Sequence, residues 1–133
     1  MNFTMCLEVE EGCGLDLVKN ILEGKSKIFE AEENILLGNL AKSNARFVFK
    51  KVNDVSHPFA GEECYKWNVS IRGSFTCQYE SLEEVAQELE FILRELDLLC
   101  AANFVFSFQY ESIFAEKKDG TFFVYKNLSM EGK

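Results

Sequence analysis

Hydrophobic residues recur along this chain at two spacings, and the spacing assigns the elements. In NFTMCLEV, residues 2–9, apolar and polar positions alternate loosely and predict a first strand. Leu15, Val18, Ile21 and Leu22 recur at helical spacing, and Gly24 is placed to end that helix. Ile28, Phe29, Ile35, Leu36, Leu37 and Leu40 fit either a second, irregular helix or a strand with a turn. RFVFKKV, residues 46–52, reads as a strand with Phe47 and Phe49 on one face.

Residues 64–72, CYKWNVSIR, alternate cleanly. Tyr65, Trp67, Val69 and Ile71 point one way, and Lys66, Asn68, Ser70 and Arg72 point the other. The following SFTCQY puts Phe75, Cys77 and Tyr79 on one face. Read as a hairpin, the two runs need a three-residue turn at Arg72-Gly73-Ser74, which pairs Ile71 with Phe75 and Val69 with Cys77. A two-residue turn would set Phe75 against Ser70, because a one-residue slip turns every side chain to the other face.

Residues 81–100, SLEEVAQELEFILRELDLLC, form the strongest signal. Leu82, Val85, Ala86, Leu89, Ile92, Leu93, Leu96, Leu99 and Cys100 make one helical stripe, and Ser81 with Glu84 reads as a capping box. In NFVFSFQYES, residues 103–112, Phe104, Phe106, Phe108 and Tyr110 take every second position. A large amphipathic helix needs an apolar surface to cover, so this row is expected to be a core wall. Asp119-Gly120 marks a tight turn before a last strand, TFFVYKN. The expected fold is α+β in a single domain, 1–133. A mainly antiparallel sheet of about five to six strands packs on one long amphipathic helix (81–100), with shorter N-terminal helices.

Composition narrows the function classes. Lys and Arg number 14 against 22 Asp and Glu, a formal charge of −8, so phosphate backbones are repelled and nucleic acid is not the expected ligand. The cysteines, Cys6, Cys13, Cys64, Cys77 and Cys100, are odd in number and form no CxxC pair. Cys6 and Cys13 would cross-link only in an oxidising compartment, and Cys64 has the most accessible register. No signal peptide and no membrane-spanning apolar run is visible. The expectation is a reduced, cytoplasmic protein with no membrane contact.

Candidate chemistry is sparse. His57 is the only histidine, beside Ser56 and near Asp54, Glu62 and Glu63, without a nucleophile set around it. The acids of EVEEG and EAEEN lack calcium-loop spacing, and EGCG lacks the rest of a phosphate loop, so no cofactor or metal is expected. Lys42, Arg46, Lys50 and Lys51 read as a structural or salt-bridging set. A chain with strong negative charge and an acidic helix suits a protein that binds another, basic protein. The contact residues expected are Glu84, Glu88, Glu95 and Asp97 on the helix, with Asp54, His57, Glu62 and Glu63 on the loop. The open sheet face (Lys66, Asn68, Ser70, Ser107, Gln109) is a rival surface if no helix covers it.

The strand NFVFSFQYES after SLEEVAQELEFILRELDLLC, with the hairpin ending in TFFVYKN, resembles the bacterial immunity proteins of contact-dependent growth-inhibition systems. The resemblance spans the last third of the chain and carries no functional residues across. It implies a cytoplasmic, non-enzymatic inhibitor that binds and occludes a cognate toxin domain, often a nuclease. The alternative is a small enzyme or small-molecule-binding domain with an aromatic-rimmed pocket using His57 or Cys64.

Overall fold

The computed structural model describes residues 2–61 and 65–125, with the backbone alone at Tyr79. Its elements are β1 (Asn2–Glu10), α1 (Leu15–Leu22), β2 (Ser26–Ala31), β3 (Ile35–Leu40), β4 (Arg46–Lys51), β5 (Val69–Gln78), α2 (Leu82–Leu99), β6 (Phe104–Phe108), β7 (Ser112–Lys118) and β8 (Thr121–Val124). The strands make one antiparallel sheet in the order β2-β3-β4-β5-β1-β6-β7-β8. The α+β class stands. The sheet is larger than the pattern predicts, with 8 strands, and α1 is the only N-terminal helix among the described residues.

Three local readings change, each for a physical reason. The ambiguous segment 28–40 is the β2–β3 hairpin, its helical option overridden by pairing with β4. Residues 69–78 are not a hairpin but the continuous strand β5, paired with β1 on one side and β4 on the other. Gly73 lies in mid-strand with the Phe49 ring packed on it: a Cβ there would stand 2.2 Å from Phe49 Cε1. The glycine serves close approach rather than a turn. Residues 103–118 hold two strands. Gln109 and Tyr110 take positive φ, 51° and 66°, and turn the chain back into β7.

β1 occupies the middle of the sheet, between β5 and β6. Its Phe3, Met5, Leu7 and Val9 join Phe47, Phe49, Ile71, Phe75, Phe104 and Phe106 in a core covered by α1 and α2. From α2 the core takes Leu82, Val85, Leu89, Ile92, Leu93 and Leu96, whereas Leu99 is exposed. Ser81 ends a short 3-10 turn and makes no side-chain cap bond, so the predicted capping box does not form. At the other end of α2, the buried Lys117 ammonium donates to the Asp97 and Cys100 carbonyls, each at 2.7 Å, and pairs with Asp97 Oδ1 at 3.1 Å. A cation at a helix C-terminus meets unpaired carbonyls and the negative end of the helix dipole.

The opposite face of the sheet is not an open surface. Cys6, Glu8, Val105 and Ser107 are all buried there, and Pro58 and Ala60 of the β4–β5 connection are buried too.

Candidate functional site

Three surface features compete for a functional role. The first is the outward side of α2. Glu84, Gln87, Phe91, Arg94 and Leu98 recur at three- and four-residue steps along it. Phe91 is 39% exposed with the Lys25 ammonium over its ring, and Leu98 is 76% exposed. Among the described residues, Glu83, Glu84 and Glu95 have no ion-pair partner, while Glu90 pairs with Arg94 at 3.0 Å. The predicted set therefore divides. Glu84 and Glu95 stay outward, but Glu88 accepts hydrogen bonds from the backbone amides of Lys42 (2.9 Å) and Ser43 (3.1 Å) and ties α2 to the β3–β4 turn. Asp97 is paired with Lys117. Those two carboxylates hold the fold together, which a charge count along the helix cannot reveal.

The second feature lies on the other face, where the β4–β5 connection crosses the sheet. Glu8 has a 1% exposed side chain and pairs with Arg72 at 2.9 Å. Its carboxylate also accepts from the amides of Phe59 (2.8 Å) and Ala60 (3.1 Å). Arg72 Nη2 donates to Ser56 Oγ and to the His57 carbonyl, both at 2.9 Å. The Phe59 ring sits over the guanidinium, 3.7 Å from Cζ to centroid, and meets Tyr110 edge-on at 5.4 Å. His57 Nδ1 lies 3.0 Å from the Trp67 carbonyl. The predicted Asp54 and His57 are exposed on this loop, and Glu62, Glu63 and Cys64 lie outside the described residues. Alternation along β1 and β5 puts Glu8 opposite Arg72, but neither residue was singled out from sequence, because the loop that closes over them has no periodic signal.

Tyr110 leaves the aromatic row of β6 at the turn and reaches this second face, where it hydrogen-bonds Cys6. Burial, and then the Cys6 neighbour, push the Tyr110 hydroxyl up to about 12. Burial likewise raises the Cys6 thiol, only partly offset by the Tyr110 hydrogen bond. On the helix side, burial and contact with the Cys100 thiol push Cys13 up to about 12. Cys6 and Cys13 thus lie on opposite faces of the sheet and are not a cross-linking pair. Thiols held protonated are poor nucleophiles. Among the described residues no group of three His, Cys, Asp or Glu is placed to hold a metal ion.

The third feature is a cleft of about 380 Å3 at the end of the sheet, lined by Asn2, Asn39, Asn44, Arg46, Thr76 and Gln78 among others. Its lining is mostly amide, hydroxyl and guanidinium, with Ala45 and Cys77, and includes neither His57 nor an aromatic ring. It does not match the aromatic-rimmed pocket expected for a small-molecule site. The rival sheet face divides: Ser107 is fully buried and the Ser70 hydroxyl donates to the Glu10 carbonyl at 3.0 Å, whereas Lys66 and Gln109 are exposed. Lys42, Arg46, Lys50 and Lys51 are exposed, and among the described residues none pairs with an acid, so they are not a salt-bridging set.

Among the described residues no helix is long and apolar enough to cross a membrane. Comparison with protein-family models, curated proteins and solved structures gives no match.

Proposed function

We propose that this chain is an immunity-type protein of bacteria that acts in the cytoplasm. It binds a basic, nuclease-type toxin domain and blocks it by occlusion, without turning over a substrate. The observation that carries this reading is the outward side of α2, where, among the described residues, Glu83, Glu84 and the half-buried Glu95 have no cationic partner beside exposed Phe91 and Leu98. Apolar groups within a charged rim are the usual anatomy of a protein-docking surface. Charge complementarity favours a basic partner, because unpaired acids and a net charge of −8 steer a cation-rich surface into encounter. A nuclease cleft built to hold phosphate has that surface, and carboxylates stand in for phosphate there. The resemblance of the last third of the chain to growth-inhibition immunity proteins points the same way.

The test uses the purified chain with the toxin domain encoded immediately upstream. Replacing Glu83, Glu84 and Glu95 together with Lys is expected to slow association about tenfold and to change dissociation less. Glu88 is left intact because its loss would loosen the β3–β4 turn. Raising salt from about 0.1 to about 1 M shortens the Debye length from roughly 10 to 3 Å and is expected to slow the unmodified pair too. A wild-type chain that neither binds the domain nor protects growing cells sinks the reading. Unchanged association in the triple variant reduces the acidic face to ordinary solvated surface.

A further inference from the structure

We propose that the loop 54–61 is a pre-organised recognition element, with Phe59 and Val55 as its anchors and the pair of buried Glu8 with half-buried Arg72 as the latch that holds it. The inference deepens the proposed function and rests on it: the occupant is the same basic protein domain, and the loop is where that domain is gripped.

A buried ion pair is a poor stabiliser unless its remaining hydrogen-bonding capacity is satisfied, because both charges lose water. Here the capacity is satisfied by the loop. Four hydrogen bonds from the pair reach residues 56–60: Glu8 to the Phe59 and Ala60 amides, and Arg72 to Ser56 Oγ and the His57 carbonyl. A fifth contact joins Val69 N to the Ser56 carbonyl at 2.8 Å. The stretch 52–61, which has no regular structure, is thereby fixed at four positions, Ser56, His57, Phe59 and Ala60, on a rigid sheet. Such a segment has already lost the conformational freedom that binding would otherwise take from it.

The latch also sets what is displayed. Ala60 and Pro58 turn inward, while Val55 is 85% and Phe59 is 56% exposed. Phe59 lies face-on against the Arg72 guanidinium and meets Tyr110 in a T-shaped contact, so a half-exposed aromatic ring has its orientation fixed from below. Exposed apolar groups fixed in this way are what a partner's pocket closes on, and Arg and Tyr beneath them are the residue types that dominate interface energetics. Charge fits the same occupant. The Arg72 charge is matched by Glu8, and residues 52–61 contain Asp54 and no Lys or Arg, so the loop itself does not repel a basic surface. Roles then divide by physics: the unpaired acids of α2 act at a distance on encounter, and the loop acts at contact on residence time.

The experiment separates the two. Phe59→Ala and Val55→Ser alter exposed side chains and are expected to leave the thermal melt nearly unchanged. Against the toxin domain each is expected to raise the dissociation rate about tenfold with association within about twofold. The latch is read in the free protein by amide hydrogen exchange. Glu8→Gln is expected to speed exchange at Phe59 and Ala60 by at least about tenfold while the amides of β1 and β6 keep their protection, and to speed dissociation from the toxin domain as well. If the wild-type chain binds and protects but the loop variants dissociate at the wild-type rate, the loop is not the grip and the proposed function survives. If Glu8→Gln leaves exchange at Phe59 and Ala60 unchanged, the latch is refuted without reference to a partner. A wild-type chain that does not bind at all overturns both.

Discussion

Gly73 illustrates how a residue's meaning depends on what packs above it. In sequence it reads as a turn, yet in the fold it is the gap that admits the Phe49 ring, which is itself fully buried. Gly73→Ala puts a methyl group inside the ring's contact distance, and neither can retreat. The expected loss is about 1–3 kcal/mol by chemical denaturation, the range for overpacking, with partial recovery in the Gly73→Ala, Phe49→Leu double variant. A loss below about half a kcal/mol would mean that the ring moves aside freely. The buried hydroxyl and thiol groups yield a second prediction. Cys13 and Tyr110 have ordinary values of 9.0 and 10.0, and both are pushed up to about 12 in the folded chain. The folded state therefore holds their protons more tightly than the unfolded state. Their contribution is fully present below about pH 9 and is lost as pH rises toward 12. Stability should fall across that window, with Tyr110 ionising late in the ultraviolet titration; a flat profile from pH 9 to 12 would contradict the burial of both groups.

Among the elements, α2 was the most legible, because six of its apolar positions share one face and that face had to meet a sheet. Leu89, buried between helix and sheet, is expected to cost about 2–5 kcal/mol when cut to Ala, mostly as cavity and lost transfer energy. The remaining helix positions were less legible. Leu99 follows the stripe in sequence but falls at the last turn, where the chain departs for β6, and it stays exposed. Glu88 and Asp97 look like their acidic neighbours until the β3–β4 turn and Lys117 arrive from elsewhere in the chain. The β6–β7 hairpin was missed because its turn residues, Gln109 and Tyr110, carry none of the Asn-Gly chemistry that usually announces positive φ. Asp119-Gly120, with φ of 51° and 84°, carries it and was found.

For the whole molecule, stability rests on one apolar core, and among the described residues no cross-link supports it. Cys6, Cys13, Cys77 and Cys100 are free and buried. Thermal melts with and without a reducing agent should coincide, and a lower melting temperature in reductant would show a disulfide that contributes to the fold. What the sequence determined by itself was local: the α+β class, both helices, the alternation that assigns faces, and a net charge of −8. Those features depend on spacing and composition, which are present in the chain before it folds. The tertiary structure decided the rest. Strand order put β1 between β5 and β6, joined Glu8 to Arg72 across 64 positions of sequence, and brought the loop 54–61 down onto them. Pairing partners so distant in sequence leave no periodic trace in either segment, so whether an acid is a free surface charge, a turn clamp or a buried latch is settled only when the sheet is assembled.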